Sequence, residues 1–299
     1  MSPHLLTLGK IKIDKVVEIE RQPVEATWLF PNIDLETLAR HASQMGPGLI
    51  VGQKLCLSFH SYVIRTGSRT ILVDTCNGNH KPRSQAWQHM LSHDTYLSNL
   101  ARLGLRPEDI DMVLCTHLHA DHVGWNTRLA DGRWVPTFPN AKYVFSRIDY
   151  ERNAQFHAEQ PQASGNHAAF RDSVLPIVEA GLADIVENDH RVLNHLDDGV
   201  WLEPSPGHTP GHVCVKVQSG ARECLMTGDA LHHPIQLHEP DLVCVGDLDP
   251  QQAAETRQAI IDALVDRDCA LLTAHFPAPT AGYIVSSQSG PRFHFIDRN

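Results

Sequence analysis

The stretch Thr116-His117-Leu118-His119-Ala120-Asp121-His122-Val123-Gly124 constrains this chain more than any other. The residues before it, 111–116, form a short apolar run that reads as a buried strand. Three histidines and one aspartate then fall within six positions. On an extended segment, residues two apart share a face. His117, His119 and Asp121 are therefore expected to converge just beyond the strand end, with His122 turned to the other side. Neutral imidazole and carboxylate are the donors that a borderline cation such as zinc takes. The plainer alternative is a polar loop rich in histidine.

Further donors follow at the ends of three later apolar runs: His208 in a Pro/Gly turn, Asp229 after Gly228, and His275 after Cys269–Ala274. Each has its own ordinary reading, as a turn residue, an Asp turn or a satisfied core histidine. Taken with the first cluster they make seven candidate ligands, His117, His119, Asp121, His122, His208, Asp229 and His275, enough for two metals. His212 lies four residues past His208, at the start of a strand, and reads as structural. Asp74 ends a strand and is either a turn former or an outer partner of the ligands.

The rest of the chain reads as short strands alternating with helices. Residues 11–20 alternate as a half-buried strand, and residues 55–64 and 70–74 form a hairpin turned at 66–68. Helices are expected at 34–40 with Asp34 as N-cap, at 89–103, at 168–180 with Pro176 kinking or restarting it, and at 250–265 with Asp249 as N-cap. Residues 21–50 otherwise read as irregular, and 124–140 as a long loop. Strands followed by helices occur in both halves, which suggests two similar units packed sheet on sheet with helices outside.

The order HxHxDH, a later histidine in a Pro/Gly turn, a Gly-Asp after a strand and a last histidine after a strand resembles the metallo-β-lactamase superfamily, and Asp74 matches its first motif aspartate. The resemblance runs from the hairpin near 55 to His275. It implies an α+β fold, an αββα four-layer sandwich, over a single domain 1–299 with an N-terminal extension of about 1–50 and pseudo-symmetric halves of about 51–190 and 191–299. It also implies a ligand assignment: His117, His119 and His208 on one metal, Asp121, His122 and His275 on the other, and Asp229 bridging. The expected cofactors are two divalent ions, zinc first, with iron or manganese as alternatives. Two close metals lower the pKa of a water held between them and give hydroxide near neutral pH. Asp121 could relay a proton to the leaving group.

The layout resembles the lactonase and organophosphate-hydrolase branch, whose N-terminal extension supports dimers. The expectation is a hydrolase that opens a lactone or cleaves a related ester. An organophosphate triesterase or thioesterase is the alternative within the fold, and an iron-dependent dioxygenase the alternative outside the class. The segments beside the ligands carry Trp125, Trp134, Phe138, Leu231, Ile235, Leu237, Phe276 and Tyr283, which would either wall the substrate cleft or pack inward. His232, His233, His238, Glu239 and Asp241 would form a mixed polar rim.

Composition narrows the partners. The net charge of -10 disfavours nucleic acid. No apolar run is long enough to cross a membrane, and the first ten residues lack a signal-peptide pattern. Seven scattered cysteines without a CxxC pair read as reduced thiols in a cytoplasmic protein. A small-molecule substrate and a homodimer complete the expectation.

Overall fold

The alternation that begins at Ile11 runs further than its first ten residues suggest. In a computed structural model, which describes residues 4–43, 45, 46, 48–195, 198–288 and 290–296, it forms one long strand. In chain order the strands are β1 (Leu6–Leu8), β2 (Ile11–Glu25), β3 (Ile50–Val51), β4 (Lys54–Arg65), β5 (Thr70–Val73), β6 (Met112–Leu114), β7 (Thr127–Ala130), β8 (Arg133–Pro136), β9 (Lys142–Ser146) and β10 (Ala183–Val186). After them come β11 (Arg191–His195), β12 (Asp198–Pro204), β13 (Val213–Ser219), β14 (Arg222–Met226), β15 (Cys269–Leu272), β16 (Gly282–Val285) and β17 (Arg292–Phe295).

The first sheet has the order β1-β2-β4-β5-β6-β9-β10, with β3 on β4. The second runs β11 to β17 in sequence, and β7–β8 is a separate hairpin. Parallel pairs need a crossover, and the helices sit where those crossovers fall. Helices α1 (Ala26–Leu29) and α2 (Leu35–Ala42) come between β2 and β3. Helix α3 (Thr95–Arg102) links the parallel pair β5–β6, and α5 (Arg147–Glu159) and α6 (Leu175–Glu179) link β9 to β10; the one-turn α4 (Ala120–Val123) carries part of the histidine motif. Helix α7 (Pro250–Leu264) links β14 to β15, the parallel pair of the second sheet.

By its internal contacts the chain divides into two compact units. The amino-terminal unit is Ser2–Glu18 with Phe59–His190, and the carboxy-terminal unit is Ile19–Ser58 with Arg191–Asn299. Each has its own core. In the first, Tyr96 and Leu100 of α3 pack with Val63, Leu72, Val113 and Phe145. In the second, Ile261 and Leu264 of α7 pack with Cys214, Leu225, Leu271 and Phe276. Removing such side chains from water is the main favourable term in each.

Local chemistry sets the boundaries. Asp34 caps α2, its Oδ1 accepting from Thr37 N–H at 2.7 Å, and Asp249 caps α7 from Gln252 N–H at 3.0 Å. Pro176 lies in the first turn of α6, after a π-helical turn at Phe170–Val174, so it restarts the helix. Three expectations are corrected. Residues 21–50 are less irregular than they read, because β2 extends to Glu25 and α1 follows. The helix expected at 89–103 begins only at Thr95: Met90 has φ 52, and the backbone of Met90 and Leu91 bonds to Lys81 and His80. The expected loop at 124–140 contains β7 and β8, turned at Asp131-Gly132 with φ 51 and 74, a pair that a two-residue I′ hairpin favours.

Candidate metal centre

In the amino-terminal unit the buried strand β6 ends at Leu114, and the chain bends through His117 and His119 into α4, which carries Asp121 and His122. His117 and His122 are buried; His119 and Asp121 are half-buried. The ring centroids of His117 and His119 are 4.6 Å apart, and those of His117 and His122 are 4.0 Å apart. The segment is thus not extended throughout. One helical turn brings His122 back beside His117, where a strand would have turned it away.

Asp74, just past β5, fixes this turn. Its Oδ1 accepts from Thr116 N–H at 2.8 Å, and its Oδ2 accepts from the Thr116 hydroxyl at 2.9 Å and from His122 Nδ1 at 2.8 Å. With Nδ1 so used, His122 offers Nε2 as a ligand atom, the arrangement an outer carboxylate gives a metal-binding histidine. Asp74 is therefore the buried carboxylate that orients His122. Gly124 makes the close approach possible: a Cβ there would lie 1.9 Å from Asn77 O.

A residue that the sequence does not announce completes this region. Glu18, on β2, accepts from Asn77 N–H at 2.9 Å, Asn77 Nδ2 at 2.7 Å, Gly78 N–H at 3.1 Å and Trp125 Nε1 at 2.6 Å. Burial pushes its carboxyl up, against those donors. It ties the loop after Asp74 to the segment after the histidine motif; its only signal was its strand phase with buried Val16. Lys81 lies behind, fully buried, 2.8 Å from the Thr127 hydroxyl and 3.7 Å from the centre of the Trp134 ring. Burial lowers its ammonium to about 7, while Asp172, held by Arg83 through two bonds of 2.8 Å, opposes that shift.

In the carboxy-terminal unit the donors come from three separate strand ends. His208 follows Gly207, whose φ of 131 and close approach to Ala253 of α7 leave no room for a side chain. Its Nδ1 meets Asp247 Oδ1 at 2.9 Å, and its Nε2 lies 3.3 Å from Asp229 Oδ2. Asp229 sits in a 3-10 turn after β14. His275 follows β15; its Nδ1 is 3.1 Å from Ser58 O and its Nε2 3.0 Å from Asp229 Oδ1. Both expected histidines of this unit thus aim Nε2 at the expected bridging carboxylate. His212 supports Asp229 from behind: its Nε2 accepts from Asp229 N–H at 3.0 Å and its Nδ1 meets the Ser205 hydroxyl at 2.8 Å.

The loop between β14 and α7 holds what the sequence reading missed. The Asp247 side chain is fully buried, and burial pushes its carboxyl up. His232 is buried, with Nε2 3.2 Å from Asp229 Oδ2. Burial alone would lower its imidazole, but Cys244 and Asp229 raise it well above its ordinary range. His233 is buried too, and burial lowers it to about 4. Neither histidine belongs to a polar rim. Arg257, buried on α7, anchors the loop by donating to the carbonyls of Ala230, Pro240 and Leu242. The apolar neighbours mostly pack inward. Trp125 and Phe138 belong to the amino-terminal core, and Leu231, Leu237 and Phe276 to the carboxy-terminal one, so these five do not wall a cleft.

Comparison with known proteins identifies the family and the fold. Residues 58–275 match the family model of the metallo-β-lactamase superfamily. An N-acyl homoserine lactonase of a Bacillus sp. is 29% identical over 189 residues, 59% of this chain and 65% of the relative, so the match spans just under two thirds of that protein. The N-acyl homoserine lactonase of Bacillus thuringiensis is 29% identical over 203 residues, 63% of this chain and 70% of its own length. Among solved structures, the hydrolase AbOPH of the β-lactamase superfamily superposes with a TM-score of 0.79 at 21% identity, covering 98% of this chain and 97% of its own. AidC, a dizinc quorum-quenching lactonase in complex with a product, gives 0.75 at 19% identity, with 98% and 97% covered. The expected α+β fold is thereby confirmed, and this chain belongs to the metallo-β-lactamase superfamily.

Proposed function

We propose that this protein is a metal-dependent hydrolase that opens the ring of N-acyl homoserine lactones or closely related lactones. One observation carries the reading above the others: each unit presents a cluster of imidazole and carboxylate donors whose outward nitrogens are fixed by a buried carboxylate, Asp74 behind His122 and Asp247 behind His208. That donor set fits a borderline divalent ion. Where two buried histidines use Nδ1 on an outer carboxylate, Nε2 is turned toward the position a metal would take. The proposed assignment keeps His117, His119 and His208 for one ion, Asp121, His122 and His275 for a second, and Asp229 for both. Zinc is the first choice, supported by the dizinc neighbour.

When bound, such a pair of ions supplies Lewis acidity and an activated water near neutral pH. The protein's residues do the rest. Asp74 holds the Thr116 backbone and the His122 ring in place, so this turn needs little reorganisation to bind. Asp121 is half-buried and thus reachable by solvent; it would take up a proton and deliver it to the alkoxide that leaves as the ring opens. The substrate class rests on the Bacillus relatives and on the net charge of -10, which favours an uncharged lactone over a phosphomonoester at long range. The seven free cysteines, all buried, support a cytoplasmic setting.

The test is kcat/KM on metal-replete protein for N-acyl homoserine lactones beside an aryl ester, a thioester, a phosphotriester and a phosphomonoester, with oxygen uptake followed in parallel. Lactone opening should be fastest, with no oxygen consumed. Faster phosphotriester cleavage would move the assignment to organophosphate hydrolysis, and oxygen uptake would move it to the dioxygenase class.

A further inference from the structure

We infer that the carboxy-terminal unit carries a second seat for a metal ion, with a sulfur donor, built from His208, His232 and Cys244 beside Asp229. The seat lies wholly in that unit and goes beyond the ligand set proposed above, sharing only His208 and Asp229 with it. One donor atom from each of His208, His232 and Cys244 lies within 4.8 Å of the other two, and all three residues are buried. Asp229 Oδ2 supplies a fourth corner, 3.3 Å from His208 Nε2 and 3.2 Å from His232 Nε2. Around a tetrahedral zinc with bonds of about 2.0–2.2 Å to nitrogen and oxygen, adjacent donors stand roughly 3.3 Å apart. The two edges to Asp229 Oδ2 match that spacing.

The side chains themselves point to a ligand. His232 is buried at 3% exposure, and its Nε2 faces Asp229 Oδ2 at 3.2 Å. A cation seated between them would take the place of the proton that this pair shares. Its backbone is fixed independently, with His232 N–H donating to Gln236 Oε1 at 2.7 Å. Cys244 is prepared in the same way. Its own N–H donates to Asp247 Oδ2 at 2.8 Å, and Gly246 N–H donates to its sulfur at 3.4 Å. Asp247 thus holds both ends of the seat, His208 through Oδ1 and the Cys244 backbone through Oδ2. Arg257 anchors the loop between them from behind.

Two imidazoles, a thiolate and a carboxylate form a softer set than the seven nitrogen and oxygen donors of the proposed hydrolytic centre. They select zinc, cobalt or cadmium over magnesium or manganese. Binding releases the Cys244 proton to solvent. Because His208 serves both sets, the seat is an alternative position for the ion that His208 holds and adds no third ion to the total.

The experiment loads the full metal-free chain with one equivalent of Co2+ and reads the near-ultraviolet charge-transfer band that only a thiolate ligand gives. The wild type should show the band, Cys244→Ser should lose it, and Cys56→Ser, a buried cysteine elsewhere in the unit, should keep it. His232→Gln, which preserves volume, should weaken Co2+ binding by about tenfold or more while far-ultraviolet circular dichroism stays that of the folded chain. Absence of the band from the wild type, or an unchanged band in Cys244→Ser, overturns the inference. The band is read without substrate, so lactone turnover with no band rejects this seat alone, and a band without lactone turnover upholds the seat while rejecting the lactonase reading.

Discussion

The two units bring donors together by different means. In the amino-terminal unit four candidate ligands come from six consecutive residues, and one carboxylate, Asp74, fixes the turn through three bonds. In the carboxy-terminal unit the three candidate ligands follow three separate strands, and each has its own support: Asp247 behind His208, the His212 ring behind the Asp229 backbone, and the Ser58 carbonyl behind His275. A contiguous motif needs one good anchor. A dispersed one needs an anchor for each member, and a buried cation, Arg257, to hold the loop that supplies them. Lys81 and Arg83 around Asp172 are the corresponding buried charges of the amino-terminal unit.

The largest effect should come from the carboxy-terminal unit, at the residue on which its other donors converge. Asp229→Ala removes the carboxylate that lies within 3.3 Å of Nε2 of His208, His232 and His275. It should cost more in metal affinity and turnover than the roughly 10–100-fold typical of an outer partner, as read by metal titration and lactone kcat/KM. Asp74→Asn and Asp247→Asn come next, at about 10–100-fold in metal affinity each. They sharpen the comparison. Asp74→Asn should disturb both His122 and the backbone at Thr116, whereas Asp247→Asn should loosen His208 and leave the amino-terminal ligands unaffected. Equal disturbance of both donor sets by Asp247→Asn, seen by histidine NMR, would break the distinction.

His212→Ala should matter less. It leaves Asp229 N–H and the Ser205 hydroxyl without their buried partner, so stability should fall by about 1–3 kcal/mol in a denaturant titration, with metal stoichiometry largely kept. A complete loss of one metal equivalent would make His212 a ligand and reverse the assignment.

The smallest effect is a pH slope. The Lys81 ammonium is held at about 7 when folded, below its ordinary 10.5, so the unfolded chain binds more protons between those values. Its contribution to stability therefore rises as pH increases from about 7 towards 10.5. Lys81→Met should flatten that rise in melting temperature, and a slope identical to wild type would contradict the assignment.

What could be read in the sequence follows the same division. His117, His119, Asp121 and His122 were legible because they are adjacent, and His208, Asp229 and His275 because each ends an apolar run. His232, Cys244 and Asp247 were not, because the loop carrying them has no period of its own and takes its shape from Arg257, a residue of another element. The side of the turn on which His122 falls differs from the strand expectation because α4 is only four residues long, too short to leave a helical pattern. The β7–β8 hairpin did carry a signal, Asp131-Gly132, overlooked among glycines and prolines that read as loop. Glu18 carried almost none: its burial is decided by four donors from two distant loops.

The central claim is that the two dissimilar donor sets serve one dinuclear, metal-dependent activity. Elemental analysis of active protein purified without chelator tests it most directly. The account predicts about two divalent equivalents per chain, zinc foremost, lost together with lactone turnover on dialysis against a chelator and restored with it. Protein that turns over lactone at its full rate with no metal, or with one equivalent, would contradict it.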